Sequence, residues 1–282
     1  MKNPDLIVIG AGAAGLMCAI TAARRGRRVL VVERSNKAGK KILMSGGGRC
    51  NFTNLYVTPD RYISRNPHFC KSALSRYSQW DFIALVEKHG IEYFEKETVN
   101  GLSGQLFCHH SSKQIVAMLL DECRKAEVRV LLNCEIEAVK HSSTGWASDR
   151  RPQSAVTAPR VGFHLETNLG RFTSETLVVA SGGLSVPSLG GSGIGYQLAE
   201  SFGLRLLPTS PGLVPFTLTD SILEVCSRLS GVSNEVVLFN DRQSFREDML
   251  FTHRGISGPA ALQLSSHWNP GEPVNICLLP DQ

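Results

Sequence analysis

The chain has 282 residues, of which 42% are hydrophobic and 20% charged, with 26 glycines and 13 prolines. This composition is typical of a packed globular protein with one large or two ordinary domains, and it excludes a disordered chain, a coiled coil and a collagen-like fibre. The net charge of +5 is a mild excess without a long block of like charge, so it permits a nucleotide or RNA partner but does not require one.

The cysteines and the apolar runs indicate a reduced protein outside the membrane. Eight cysteines are spread along the chain, and no two have Cys-x-x-Cys spacing. A chain of this size does not need a disulfide framework, so we expect a cytoplasmic protein. The longest apolar run, residues 6–20, contains three glycines and is too short to span a bilayer. No histidine or cysteine group has the spacing of a metal site, so no metal is expected.

The first 33 residues predict a strand, a helix and a second strand. Residues 5–10 and 28–33 contain apolar runs of the kind found in parallel strands that are buried on both faces. Between them, residues 13–25 carry apolar side chains at helical spacing. Cations at Arg24 and Arg25, followed by Gly26, indicate where this helix ends.

The rest of the chain predicts further helices and strands, and then a change of character. The expected elements are a loop rich in Gly, Ser and Asn over 35–58, two helices within 67–89, a helix over 112–126, strands at 128–133, 134–140, 161–167 and 176–180, and an exposed loop over 142–160. After Pro208, closely spaced prolines are followed by strands expected at 213–219, 232–239 and 274–279 and a helix at 259–267. We therefore predict two domains, residues 1–207 and 208–282.

The run Gly10-Ala-Gly12-Ala-Ala-Gly15 follows the first strand and opens the helix, as a dinucleotide-binding motif requires. The first glycine permits a tight turn, the second lets the backbone approach a pyrophosphate, and the third lets the helix pack on the strand. Glu33 ends the second strand, where its carboxylate can hold both ribose hydroxyls. The same charge would repel the 2′-phosphate of NADP, so NAD and FAD remain.

A second glycine-rich run favours FAD. Ser45-Gly-Gly-Gly-Arg-Cys-Asn51 can expose successive backbone N–H groups to a flat or anionic group. This run resembles the signature of the BaiN/RdsA-type flavoproteins, a family of FAD-dependent oxidoreductases. Three further stretches are similar to that family in the same order, namely residues 178–183, 190–196 and 251–260.

The resemblance implies an α/β fold. The first domain would be a Rossmann-like FAD-binding domain of the glutathione reductase type with a parallel sheet, and the second the start of an inserted β-rich substrate domain. The resemblance also implies FAD as cofactor and NAD(P)H as a transient electron donor. The residues that it places along FAD are Gly10, Gly12, Ala13, Ala14 and Gly15 at the pyrophosphate, Glu33 and Arg34 at the ribose, Lys40, Lys41, Ser45, Gly46, Gly47, Gly48, Arg49, Cys50 and Asn51 along the phosphates and flavin, Ile136 at the adenine, and Ala180, Ser181, Gly182 and Gly183 at a second strand end.

Some of these residues also have ordinary structural interpretations. Lys40 and Lys41 are adjacent, so in an extended loop only one of them would reach a phosphate. The charge of Arg49 could lower the pKa of Cys50 and make the thiol reactive, although a packing cysteine is the commoner case. His253 either faces a substrate cavity or forms a turn. Residues 191–195 either cover the flavin or form a turn, because no acid ends a strand about 20 residues later.

By this resemblance, the activity is hydride transfer from a reduced nicotinamide through FAD to an electron-poor C=C bond, in a steroid-like enone or a uridine of ribosomal RNA. Members of the family are longer, and no glycine-rich return to the FAD domain follows residue 260. A catalytically incomplete FAD-binding fragment is therefore an alternative. An NAD-binding dehydrogenase is a third possibility, disfavoured because no acid–base His or Tyr with a polar partner stands out. The sequence indicates neither the catalytic residues nor the oligomeric state.

Overall fold

The computed structural model describes residues 3–98, 101–142, 162–186 and 191–280. The chain divides into two compact units, Met1–Leu206 and Leu207–Gln282, and this division lies one residue from the boundary expected from the sequence. The loop expected over 142–160 lies outside the described residues except at its first position.

Both units contain helices and strands, numbered in chain order. In the first unit they are β1 (Leu6–Ile9), α1 (Ala13–Arg24), β2 (Val29–Val32), α2 (Lys40–Met44), β3 (Asn51–Asn54), α3 (Lys71–Arg76), α4 (Gln79–Lys88), β4 (Tyr93–Thr98), β5 (Gly101–Cys108), α5 (Lys113–Lys125), β6 (Arg129–Leu131), β7 (Ile136–Ser142), β8 (Gly162–Thr167), β9 (Gly170–Ser174), β10 (Thr176–Val179) and α6 (Ile194–Ser201). In the second unit they are β11 (Phe216–Thr217), α7 (Asp220–Arg228), β12 (Ser233–Phe239), β13 (Ser244–Thr252), β14 (Gly255–Ser257), α8 (Gly258–Ser265) and β15 (Asn275–Cys277).

A parallel sheet with the strand order β10-β1-β2-β6 forms the centre of the first unit. Successive strand residues point to opposite faces, and both faces are covered. On one face, Val8 and Val31 belong to a core shared with α1 and α5. On the other face, Ile7 and Leu30 pack with Leu165 of β8 and with α6. This two-sided burial explains the continuous apolar runs of β1 and β2 and confirms the predicted Rossmann-like α/β fold.

Two antiparallel sheets complete the first unit, in the strand orders β3-β5-β4 and β7-β8-β9. The structure confirms the predicted helices α1, α3, α4 and α5 and the strands of the parallel sheet. The sequence did not predict β4, β5, β9 or α6. The expectation of a continuous loop over 35–58 is wrong, because α2, a 3₁₀ turn at Ser45–Gly48 and β3 lie within it.

The second unit is built on an antiparallel sheet in the order β11-β14-β13-β12-β15. Its core contains Val236, Leu238 and Met249 from the two central strands, and Ala261 and Leu264 from α8. The predicted strands and the helix near residue 259 are present, whereas α7, β13 and β14 were not predicted. No helix in the described parts of either unit is long and apolar enough to cross a membrane.

Candidate functional site

A cavity of about 580 Å³ opens where β1, β2 and β10 reach their carboxyl ends. Open parallel sheets commonly bind ligands at this edge, and the volume suits a small molecule or cofactor. The cavity is lined by residues from six stretches of the first unit: Ile9–Ala14, Val32–Ser35, Lys37–Ile42 without Ala38, Cys134–Ile136, Ala180–Gly182 and Ser192–Gln197 without Gly195 and Tyr196.

The three glycines of the first turn have different roles. A Cβ on Gly10 would lie 2.4 Å from the carbonyl oxygen of Ala180, and one on Gly15 would lie 1.9 Å from that of Gly10. Both glycines therefore let backbone segments approach closely, and Gly15 is buried outside the cavity lining. A Cβ on Gly12 would meet nothing within 4 Å. Because Gly12 lines the cavity, the missing side chain there leaves space for a ligand.

Two helices begin at the cavity. Gly12 caps the N-terminus of α1, and Gly193 caps that of α6, which is 8 residues long. The first N–H groups of a helix have no acceptor within it, and the helix dipole makes this end positive. The cavity is therefore suited to an anionic group such as a phosphate. Residues 191–195, for which the sequence allowed a turn or a covering segment, lead into α6.

Glu33 connects the ends of the first two strands. Its Oε2 accepts a hydrogen bond of 2.8 Å from the backbone N–H of Ala11, and its Oε1 accepts one of 2.8 Å from that of Ser35. A carboxylate has about four lone-pair sites, so each oxygen can still accept a hydroxyl donor. The half-buried Glu33 is thus fixed at the cavity wall with acceptors to spare.

Cations outnumber acids along the cavity. Arg34 and three lysines line it, against the two acids Glu33 and Glu135. Lys40 and Lys41 both belong to the lining, and they do not lie in the extended loop for which only one of them was expected to reach a phosphate. They lie in α2, where successive side chains are about 100° apart rather than on opposite sides. The Nζ of Lys41 also donates a hydrogen bond of 3.1 Å to the hydroxyl of Ser185.

Some predicted site residues do not line this cavity. They are Gly15, Ser45, Gly46, Gly47, Gly48, Arg49, Cys50, Asn51 and Gly183. The three glycines after Ser45 have φ values of 56°, 63° and 87°, which favour glycine at each position. A Cβ on Gly46 would lie 2.6 Å from the ring of Phe107, whereas Gly47 and Gly48 face open space. The contact of this loop with a flavin stays a prediction.

The structure bears on the two interpretations of Cys50, which are activation by Arg49 and packing. The guanidinium of Arg49 lies over the ring of Phe94, 5.8 Å from its centroid. Cys50 is buried, and this burial raises the pKa of its thiol despite a hydrogen bond with Ser45 that lowers it. The structure therefore favours a packing role for Cys50. His253 lies exposed in the turn between β13 and β14, as one of its two interpretations predicts.

Several lining residues were missed, and so was one buried charge cluster. The missed lining residues are Ile9, Ala11, Val32, Ser35, Lys37, Gly39, Ile42, Cys134, Glu135 and Gln197, whereas Ser192, Gly193 and Ile194 belong to the stretch that the sequence left open between a turn and a cover over the flavin. In the cluster, the buried carboxylate of Glu122 accepts hydrogen bonds from His89 at 2.8 Å, from Lys125 at 3.2 Å and from Arg24. Glu122 lies on the apolar face of α5, three residues after Leu119. A charged residue at a position where the helix pattern predicts burial was the signal in the sequence that could have indicated this cluster.

The His89–Glu122 cluster has the residue types of a metal site, since ligand atoms of His89, Asp121 and Glu122 lie within 4.8 Å of one another. However, Arg24 and Lys125 already donate to Glu122, and Lys125 also pairs with Asp121 at 2.7 Å. These cations satisfy the carboxylates, so the cluster is an ion-pair network between α1, α4 and α5.

Comparison with known proteins places this site in a family context. The family model described as HI0933-like protein Rossmann domain matches residues 4–252. The chain is 52% identical over 282 residues to the ribosomal RNA dihydrouridine synthase of Escherichia coli, covering 100% of this chain and 65% of that protein. It is 30% identical over 268 residues to the 3-dehydro-bile acid delta(4,6)-reductase of Clostridium scindens, covering 92% of this chain and 59% of that protein.

The chain thus spans less than two thirds of the length of these relatives. Among solved structures, glycine oxidase from Geobacillus kaustophilus is similar with a TM-score of 0.46 at 14% identity, covering 91% of this chain and 70% of that one. Since the family model matches most of the chain and the fold contains its Rossmann domain, this chain belongs to the HI0933-like Rossmann-domain family.

Proposed function

We propose that this chain is the FAD-binding part of an oxidoreductase that reduces an electron-poor C=C bond. The observation that carries the proposal is the cavity at the strand ends, where Gly12 leaves open space beside two helix N-termini and the fixed carboxylate of Glu33. Membership of the family supports it. The activity is proposed for a protein of the full length of the relatives, of which this chain spans 65% and 59%.

The lining residues fit FAD. Gly12, Ala13 and Ala14 would hold the pyrophosphate at the start of α1, where backbone N–H groups are available. Glu33 would accept hydrogen bonds from the ribose, and Ile136 would contact the adenine. Lys40 and Lys41 would balance the phosphate charge. Bound FAD would supply the hydride chemistry, which protein side chains do not provide.

FAD suits the site better than NAD does. An NAD-dependent dehydrogenase needs an acid–base group close to its reacting carbon, most often a histidine or tyrosine. The described residues that line the cavity include neither. A reduced nicotinamide would instead visit transiently as the electron donor, and Glu33 would repel a 2′-phosphate at the ribose position of the resident cofactor.

The names of the relatives support reduction of a conjugated C=C bond. One relative is named for forming dihydrouridine in ribosomal RNA, and another as a delta(4,6)-reductase of a 3-dehydro-bile acid. Uridine and a 3-dehydro steroid with such double bonds both contain a C=C conjugated to a carbonyl. We propose an RNA uridine as the substrate because of the 52% identity to the first relative, with a steroid-like enone as the alternative. An RNA substrate would place the protein in the cytoplasm.

The first test is the visible absorption spectrum of the purified chain after addition of FAD and desalting. We expect a retained two-band flavin spectrum for the wild type and a colourless Gly12→Val variant. Addition of NADPH or NADH without oxygen should then bleach the flavin, and a uridine-containing RNA should restore its colour. A colourless wild type would contradict FAD binding by this chain. Retained flavin that neither nicotinamide bleaches would favour a binding fragment without turnover.

A further inference from the structure

A segment of the first unit, residues 56–80, carries a concentration of exposed aromatic rings. They are Tyr56, Tyr62, Phe69, Tyr77 and Trp80, which are between 42% and 78% exposed. Five rings among 25 residues is a high density for a chain that is 7% aromatic. All nine residues from 61 to 69 are exposed, so this surface is open to a partner.

The same segment is basic. Arg61, Arg65, Lys71 and Arg76 lie between residues 61 and 80, and this stretch contains no Asp or Glu. Asp60 precedes it and lies 3.7 Å from Arg61, but both side chains are exposed, and such surface pairs contribute little. The 56–80 segment thus carries four cations against the single acid Asp60.

Two hydrogen bonds fold the segment back on itself. The Nε2 of Gln79 donates to the carbonyl oxygen of Leu55 at 3.0 Å, which brings the beginning and end of the segment together. The thiol of Cys70 donates to the carbonyl oxygen of Pro59 at 3.6 Å, which does the same for its middle. These bonds therefore hold the nearby residues in one folded loop, with Tyr56 near the end that carries Trp80 and Arg61 near the part that carries Phe69.

Exposed rings that alternate with cations match single-stranded nucleic acid. Every unpaired base offers a face that can stack on an aromatic ring, and Arg and Lys can neutralise the phosphates between the bases. A duplex hides its base faces and would use the cations alone. A protein partner would not require a one-sided excess of positive charge. The charge and the rings together therefore favour a polyanion with accessible bases.

We propose that the 56–80 segment binds single-stranded RNA, with its rings stacked on bases and its Arg and Lys side chains on phosphates. The choice of RNA over single-stranded DNA rests on the proposed function. The surface itself is outside the cavity lining, so its role in RNA binding can be tested without FAD or turnover.

The test is fluorescence anisotropy of a short labelled RNA titrated with the purified chain. We expect tighter binding of the single strand than of a duplex of equal length. Tyr62→Ala and Phe69→Ala should each weaken binding about tenfold, because each removes one stacked base. A variant with Arg61, Arg65 and Lys71 changed to Glu should bind still more weakly. Because three phosphate contacts are lost, the slope of the logarithm of the binding constant against the logarithm of the salt concentration should become shallower by about 2.

The matched control is Lys88→Glu, which reverses a charge at the other end of α4, outside the segment. It should leave RNA affinity within about twofold of the wild type. Unchanged affinity in the aromatic variants, or equal binding of single strand and duplex, would overturn the proposal. If sedimentation shows that the aromatic variants dissociate a dimer while RNA does not bind, the surface is a self-association interface and the proposal is also wrong. Retained FAD in a chain that fails to bind RNA would overturn the RNA surface and leave the proposed FAD site standing.

Discussion

The backbone N–H of Ala11 donates a hydrogen bond of 2.8 Å to the carboxylate of Glu33, 22 residues later in the chain. This bond joins the turn after β1 to the end of β2, and Ser35 fixes the other oxygen of the same carboxylate. Glu33 therefore supports the glycine turn and also presents acceptors to the cavity. A single side chain links the shape of the turn with the group that would hold a ribose.

Glu33→Gln should weaken FAD binding. An amide keeps one acceptor oxygen but places NH₂ where the second backbone N–H now donates, and it loses the charge that strengthens both bonds. Hydrogen bonds to charged groups contribute about 1.5–3 kcal/mol, so we expect a loss of about ten- to a hundredfold in FAD affinity, measured by quenching of flavin fluorescence. Glu135→Gln, a second acid of the lining, is the control. Equal losses in both variants would contradict a specific role for Glu33.

Gly12→Val and Gly15→Ala should separate ligand binding from folding. A side chain on Gly12 enters open cavity space, so the variant should lose FAD and keep a melting temperature close to that of the wild type. A Cβ on Gly15 would lie 1.9 Å from the carbonyl oxygen of Gly10, so that variant should fail to fold or melt much earlier. Melting curves and flavin retention measure both effects. Retention of FAD by Gly12→Val would contradict the pyrophosphate assignment.

The cysteines should differ in their rate of alkylation by iodoacetamide. Cys277 is exposed, whereas Cys50 and Cys108 are buried, and burial raises the pKa of the Cys108 thiol to about 11. Only the thiolate reacts, so Cys277 should be modified first in the folded protein, as followed by peptide mass spectrometry. Cys50→Ser should retain FAD. Early modification of Cys50 would contradict its packing role and favour a reactive thiol at this position.

Glu122→Gln should destabilise the first unit. Glu122 is 2% exposed and accepts from Arg24, His89 and Lys125. Removal of one partner of a buried ion pair costs up to about 3–5 kcal/mol, and the half-exposed arginine and lysine reduce this to about 2 kcal/mol. Urea unfolding at pH 7 measures the loss. Asp121→Asn, at a more exposed position of the same helix, should have a smaller effect.

The effect of Glu122→Gln should also depend on pH. Burial by itself raises the pKa of Glu122, but hydrogen bonds from His89 and Lys125 and the charge of Arg24 outweigh it and hold the pKa below its usual value. The unfolded chain therefore binds a proton at higher pH than the folded chain does, so this stabilisation is complete above about pH 4.5 and is lost as the pH falls through the folded pKa. The difference between wild type and variant should shrink there. A constant difference down to pH 3 would contradict this role.

Local patterns in the sequence identified the part of the cavity wall that is formed by the first βαβ unit. The runs at β1 and β2, the glycines between them and Glu33 are all within 33 residues, and each has its own signal. The sequence left residues 191–195 as either a covering segment or a turn and did not indicate Gln197, because this stretch reaches the cavity only when β10 pairs with β1 and α6 packs against the sheet. It also placed Ser45–Asn51 beside the cofactor from a resemblance, and the cavity described here does not include that loop.

The sequence by itself determined the Rossmann unit, the glycine turn and the acid that ends β2, because continuous apolar runs and neighbouring motif residues carry this information. Only the tertiary structure decided that Glu33 supports the turn of Ala11, that both Lys40 and Lys41 reach the cavity, and that Cys50 is buried with a raised pKa. These properties depend on segments distant in the chain, whose contacts form through packing and leave no periodic pattern in the sequence.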